Sequence, residues 1–325
     1  MSVAILDQGW LIEGSKHRLV SQGMLYRDFA GQQLHFLQIG LGTNTTFVQN
    51  MAGEYSEWSF EVDWLVQATS QWSRETVRGV GVEPVRHLIL RHTHLLKHLP
   101  NVELVQVAVS DGDRDGMHMH LLPQLLQQQL LQRAEQDKKD NLEYQLEFLR
   151  NMSSLGQPHP EILENLSWFE KECGSELPFE MQPTDVWSYG KLAKTLNFVG
   201  CEVLMIDAEG HDTRILQSLI RHCQEDDRAW PQVIQFETLG HCDRHTDYPG
   251  ESEMIGTLVE AGYLLVGHSN KDSYLVSHER EELPRLREWL RRWRCDWCQL
   301  RNTYPYDISW RGTLCRFCAC SCFSR

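Results

Sequence analysis

Short apolar runs that end in glycine or an acid, each followed by helical spacing, organise the middle of this chain. Leu34–Ile39, Val80–Glu83, Val203–Asp207 and Val233–Glu237 lack clean alternation, which predicts strands buried on both faces, as in a parallel sheet. Val102–Ser110 joins this series as a further strand. After Pro84, a favourable first helical residue, Val85, Leu88, Ile89, Leu95, Leu96 and Leu99 fall on one stripe. Ile215, Leu216, Leu219 and Ile220 do the same behind Asp207. Strands and helices in alternation predict a right-handed, doubly wound α/β sheet. A last pair, Tyr263–Val266 and Ser273–Val276, flanks a polar turn at His268–Asp272 and predicts an antiparallel hairpin at one edge. The total is about seven strands in a Rossmann-like sheet.

The series is interrupted once. About ninety residues separate the third and fourth strands, too many for a simple crossover. Leu142, Leu146 and Leu149 stand at i, i+4 and i+7, so a helical insertion is expected over roughly 113–180. It reads equally as a lid over the ligand end and as a surface decoration. Residues 1–33, with Gly9, Gly14, Gly23 and Gly31 among scattered apolars, read as an N-terminal cap. The main domain then spans 34–279.

Composition changes the picture at the far end. The chain carries a net charge of −14, but from Arg280 onward ten arginines face five acids, leaving roughly −19 on the residues before it. Six of the ten cysteines also follow residue 294. Residues 280–325 are therefore a separate basic, Cys-rich appendage. The acidic body argues against a broad phosphate-backbone interface, and so against nucleic acid as partner. Apolar runs of about six residues are too short to span a bilayer. The first 20 residues lack a basic start followed by an apolar block, so no secretory leader is expected and a cytoplasmic location is.

The candidate chemistry sits where the strands end. Gln38-Ile-Gly-Leu-Gly-Thr-Asn-Thr45 follows the first strand, and Gly40 and Gly42 would let the backbone approach a ligand closely. Glu83 ends the second strand, where an acid can accept both hydroxyls of a ribose. Ser110 and Asp111 end the third, Asp207 and Glu209 follow the fourth, and Glu237 closes the fifth. Each has an ordinary structural reading. Glu83 suits the N-terminus of the helix opened by Pro84, Asp111 suits the turn that follows, and Asp207 or Asp212 could cap the next helix. Their recurrence at the same end of successive strands points instead to a binding site.

In order, Leu37-Gln-Ile-Gly40, Gly81-Val-Glu-Pro-Val85, Asn101-Val-Glu-Leu-Val-Gln-Val-Ala-Val-Ser-Asp111, Leu204-Met-Ile-Asp-Ala-Glu-Gly-His-Asp212, Val233-Ile-Gln-Phe-Glu237 and Ala261-Gly-Tyr263 resemble the FkbM-type methyltransferases. The resemblance covers about residues 34–112 and 181–277. It implies an S-adenosylmethionine-dependent enzyme that methylates a hydroxyl oxygen of a small molecule or glycan. It also implies a sheet of seven strands whose last is antiparallel. By motif position, Gly40 and Gly42 would border the cofactor's methionine end, Glu83 its ribose, and Ser110 with Asp111 its adenine. Asp207 and Glu209 would face the sulfonium and the acceptor. Glu209 and His211, just past the fourth strand, are the candidate general bases. The glycine turn departs from the family's usual Gly-Ala-Asn-x-Gly, reading Gly40-Leu-Gly-Thr-Asn44.

Two further groups could hold a metal. Cys295-x₂-Cys298 and Cys315-x₂-Cys318 form a ribbon-like zinc signature, with Cys320 and Cys322 as surplus thiols. His241-Cys-Asp-Arg-His245 holds ligand residue types, but a loop flanking the acceptor pocket is the better reading. A second function class remains open. In it, a methyltransferase-like scaffold without catalysis engages a protein partner through its zinc tail.

Overall fold

A computed structural model gives the architecture. The described residues are 34–42, 77–96, 101–122, 153–158, 163, 179–198, 200–238, 240–244, 247–268 and 272–277. The N-terminal cap, most of the expected helical insertion and the cysteine tail, including Cys295, Cys298, Cys315 and Cys318, lie outside them.

The described residues form two sheets. The larger is built from β1 (Leu34–Ile39), β2 (Val77–Val82), β3 (Val102–Val105), β8 (Val203–Ile206), β9 (Val233–Glu237), β10 (Tyr263–His268) and β11 (Asp272–Ser277). Its strand order is β10-β11-β9-β8-β1-β2-β3. The five from β9 to β3 are parallel, and β11 lies antiparallel between β9 and β10. The order turns back between β1 and β8. That is the switch point at which a crevice opens outside the carboxyl ends of the strands.

The central strands are apolar on both faces because helices cover them. β8 is buried at every residue. Ile215, Leu216, Leu219 and Ile220 of α3 (Asp212–Glu225) pack into the main core with Ile39, Leu204, Ile206 and Phe236. Met254, Ile255 and Leu258 of α4 (Glu251–Glu260) join the same cluster. Burying each such side chain contributes about 1.5–3 kcal/mol.

The smaller sheet departs from expectation. The run Val102–Ser110 is two strands, for the chain leaves the large sheet after Val105 and enters the small one at β4 (Ala108–Ser110). The small sheet has the order β4-β7-β5-β6, with β5 (Arg114–Leu121), β6 (Ser154–Leu155) and β7 (Glu180–Ser188). The described ends of the stretch expected to be helical are thus strands. Met117, Met119 and Leu121 alternate with His118 and His120, a period-two pattern that turns one face of β5 inward. Val85 and Leu88 pack against Ala108, Met119, Leu121 and Val186 to form a second, smaller core beneath this sheet. Gln182 on β7 fixes the start of α1 (Arg86–Leu96). Its Oε1 accepts from Arg86 N at 2.9 Å, and its Nε2 donates to Pro84 O at 2.7 Å. The short helix α2 (Tyr189–Thr195) follows β7 and is capped by the Ser188 hydroxyl. Among the described residues no helix is long and apolar enough to cross a membrane.

Candidate functional site

At the switch point the turn after β1 lies directly on the end of β8. A Cβ placed on Gly40 would fall 1.7 Å from the backbone oxygen of Asp207, and Gly40 has φ +84°. No other residue type fits there. Gly40 N donates to Val82 O, and Asp207 N to Ile39 O, both at 2.9 Å. Glu83 then holds the turn from below. Its Oε2 accepts from Leu41 N at 2.9 Å and Gly42 N at 3.1 Å, while Oε1 accepts from Val85 N at 2.8 Å. Burial pushes the Glu83 pKa up against the pull of these three bonds. His92 of α1, fully buried, closes the turn from the side with Nε2 at 2.9 Å from Gly42 O.

Acidic groups gather at the ends of β8 and β9. Glu209 adopts φ 49° and Gly210 φ 89°, two successive left-handed residues that fold the chain sharply between β8 and α3. Left-handed backbone at a non-glycine residue stores strain and is concentrated at functional sites. His241 sits against this bend, 3.1 Å from Glu237 Oε2 and 3.7 Å from Glu209 Oε2 through Nδ1. Burial raises Glu237 well above the usual carboxylate range, and Glu209, Asp207, Asp212 and Asp272 raise it further. Burial, then Asp207, pushes the fully buried Asp212 to about 7. The loop carrying His241 is clamped by Glu251, whose carboxylate accepts from Gly240 N at 2.9 Å and Cys242 N at 3.2 Å. Asp243 Oδ1 accepts in return from Glu251 N at 2.8 Å.

His211 begins a directional chain. Asp111 Oδ1 can only accept from the Ser110 hydroxyl, at 2.9 Å. Ser110 Oγ must therefore accept from His211 Nε2, also at 2.9 Å. The neutral ring is then the Nε2–H tautomer, and its Nδ1 accepts from the Tyr248 hydroxyl at 3.1 Å. Arg214 lies over the Tyr248 ring at 4.0 Å from its centroid and reaches Asp111 at 3.9 Å. Arg114 pairs with the same carboxylate at 2.5 Å, and Arg221 bonds the Asp111 carbonyl. Burial would raise the Asp111 pKa, but the Ser110 hydroxyl, Arg114 and Arg214 outweigh it and hold the pKa low.

A cleft of about 150 Å³ joins Gly40, Gly42, Glu83, Asp207, Glu209 and His211. Six of the eight residues expected at the active site therefore share one cavity. Ser110 adjoins it through His211, whereas Asp111 lies outside the lining and faces a separate depression with Lys191 and Arg221. Gln38, Gln235 and Asp272 also line the cleft; each lies in a stretch quoted above, but nothing in the sequence singles it out as a site residue. Gln38, Met205 and Gln235 stand side by side in register across β1, β8 and β9, so the cavity has a floor with two amides in an apolar sheet. His92 and Tyr248 were also not foreseen, because each acts on a residue tens of positions away.

No family model and no curated protein sequence matches this chain, so the FkbM resemblance rests on its motifs alone. Among solved structures, Aeropyrum pernix fibrillarin in complex with S-adenosyl-L-methionine is similar at 9% identity, covering 84% of this chain and 86% of that one, with a TM-score of 0.32. A fibrillarin/Nop5p complex is similar at 8% identity over 76% and 73%, with a TM-score of 0.30.

Proposed function

We propose that this chain is an S-adenosylmethionine-dependent methyltransferase acting on a hydroxyl oxygen of a small molecule or glycan. The observation that carries the reading is the shared cleft at the switch point, where the Gly40 turn, Glu83 and the acids after β8 meet. Gly40 is required there because an added Cβ would strike the Asp207 backbone, which brings the turn after β1 against the end of β8 at the edge of the cleft. Gly40 and Gly42 would border the methionine end of the cofactor. Glu83 would take the ribose: a carboxylate offers about four acceptor sites, and the turn uses three. Ser110, behind His211, would lie toward the adenine, whereas Asp111 stands outside the cleft lining and is held by Arg114 and Arg214 instead; Asp207 and Glu209 would lie toward the sulfonium and acceptor.

The cofactor, when bound, supplies a methyl group already activated by the positive sulfur. The chain's part is to align the acceptor oxygen behind that methyl and to exclude water. Positioning of this kind is worth about 7–11 kcal/mol in favourable cases. Transfer to a hydroxyl would release its proton, which the chain must accept. Glu209, which lines the cleft, is the candidate to take that proton; both ring nitrogens of His211 are engaged, by Ser110 and Tyr248. General-base assistance contributes about 10²–10⁴-fold.

A second reading, a scaffold without catalysis that binds a protein partner through its cysteine tail, is favoured by the arginines that pin Asp111. Calorimetric titration of the full chain with S-adenosylmethionine decides between the two. Saturable binding, weakened more than tenfold in Glu83→Ala, is the expected result. Absence of binding at millimolar cofactor favours the scaffold.

A further inference from the structure

We propose that Glu209, Glu237 and His241 form a binding site for a first-row divalent cation at the carboxyl ends of β8 and β9. One donor atom from each residue lies within 4.8 Å of the other two. A first-row ion sits about 2.0–2.2 Å from carboxylate oxygen and imidazole nitrogen. Two ligands on one such ion are then about 3.0 Å apart at a right angle and about 3.4 Å apart at the tetrahedral angle. His241 Nδ1 stands 3.1 Å from Glu237 and 3.7 Å from Glu209. Both His241 separations are thus within a few tenths of an ångström of ligand spacing, and the two carboxylates, within 4.8 Å of one another, would draw together by side-chain rotation.

The surroundings also hold buried oxygens without donors. Asp212 has no exposed surface and its Oδ2 has no hydrogen-bond donor. Gln235 stands two residues before Glu237 on the same face of β9. Its Oε1 also lacks a donor although the residue is 6% exposed, and the side chain lines the cleft beside Asp207 and Glu209. Buried oxygens without donors are what a cation or its coordinated waters would satisfy. The donor set is one imidazole and two carboxylates, which suits Mn²⁺, Fe²⁺ or Zn²⁺ better than Ca²⁺. The position is also rigid. Gly210 packs under His241, where an added Cβ would be 3.1 Å from the His241 Cβ, and Glu251 fixes the residues on either side.

Three protein ligands leave coordination positions open, as in catalytic rather than structural sites. Glu209 also lines the cleft, so the open side is where an acceptor oxygen would be held. That role rests on the methyl-transfer reading; the cation site itself does not. A metal there would orient the acceptor and favour loss of its proton.

Mn²⁺ is the probe, because it prefers oxygen and nitrogen ligands over the tail thiolates. The full chain, stripped with chelator, is titrated with Mn²⁺ at pH 7.5 by electron paramagnetic resonance. One ion per chain is expected, with affinity falling more than tenfold in Glu237→Gln and in His241→Ala. Glu209→Gln guards against misfolding of those buried variants, since the Glu209 side chain is 20% exposed. It should keep the wild-type circular dichroism and melting temperature in chelator, but lose the Mn²⁺-induced rise in melting temperature. No bound Mn²⁺ in the wild type, or unchanged binding in all three variants, overturns the site. S-adenosylmethionine binding is measured separately in chelator. Mn²⁺ binding without cofactor binding would sink the methyltransferase reading and leave the cation site standing.

Discussion

Gly40→Ala tests how tightly the two halves of the sheet are joined at the site. The added Cβ would lie 1.7 Å from Asp207 O, whereas side-chain carbons do not approach closer than 3.0 Å, so a shift of about 1.3 Å is required. The obstacle is backbone and cannot rotate away. The movement would strain the two hydrogen bonds that hold the turn and the end of β8, Gly40 N to Val82 O and Asp207 N to Ile39 O. Each is worth about 1 kcal/mol net. Holding an alanine at φ +84° adds about 1–2 kcal/mol. The expected destabilisation is therefore about 3–4 kcal/mol, a large part of a typical total of about 5–15 kcal/mol.

Urea denaturation followed by tryptophan fluorescence gives the difference from the shift in midpoint at unchanged slope. Gly112→Ala is the control. Gly112 has nothing within 4 Å of an added Cβ, and its change should stay within about 0.5 kcal/mol. Equal effects from the two substitutions would refute the close apposition of the turn and β8. The geometry of the candidate site would then be wrong at its centre.

Two further outcomes are expected. Burial raises Glu251 from 4.5 to about 8, so the folded state retains its proton to higher pH than the unfolded chain. Its contribution to stability is complete below about pH 4.5 and is lost as pH rises to about 8, a fall of about 2 kcal/mol between pH 5.5 and 7.5. Denaturation at those two values should show a flatter profile for Glu251→Gln than for the wild type; identical profiles would exclude Glu251 as the source. For the His211 chain, ¹⁵N nuclear magnetic resonance of histidine-labelled protein should report the Nε2–H tautomer in the wild type and a mixture in Tyr248→Phe. A wild-type ring protonated at Nδ1 would reverse the direction from Tyr248 to Asp111.

The parts of the site visible in the sequence are those coded by adjacent residues. A buried run that stops at Asp207 and restarts as a helix shows its strand, turn and helix without any distant partner, and so does Gly40 after β1. Non-local pieces were hidden. His92 bonds a residue 50 positions away, and Tyr248 one 37 positions away, with no spacing rule to link them. The break between Val105 and Ala108 carries no proline or glycine, so nothing marks where the chain changes sheets. The strand β5 was legible in principle from Met117, Met119 and Leu121. Its pattern was absorbed into the expectation of a long helical insertion. Glu83 was found for a partly different role. Its carboxylate already supports the glycine turn, so any contact with a ribose shares a group that the fold itself uses.

Charge compensation explains why the acids after β8 and β9 differ from the other two carboxylates. Asp111 is neutralised within the chain by Arg114 and Arg214, and Glu83 by three backbone donors. For Glu237 the strongest influences after burial are four more carboxyls, all of which raise its pKa. Two like charges about 4 Å apart repel by about 4 kcal/mol at an effective dielectric of about 20. Several ionised acids there would together offset much of a domain's stability, so the cluster must take up protons or a cation. Protons meet part of that need, since Glu237 is raised well above the usual carboxylate range and Asp212 reaches about 7. A positive ligand would meet the rest, and the cleft beside Asp207 and Glu209 is where a sulfonium would lie. The excess of acids thus favours a positive ligand at this end of the sheet, whatever the acceptor.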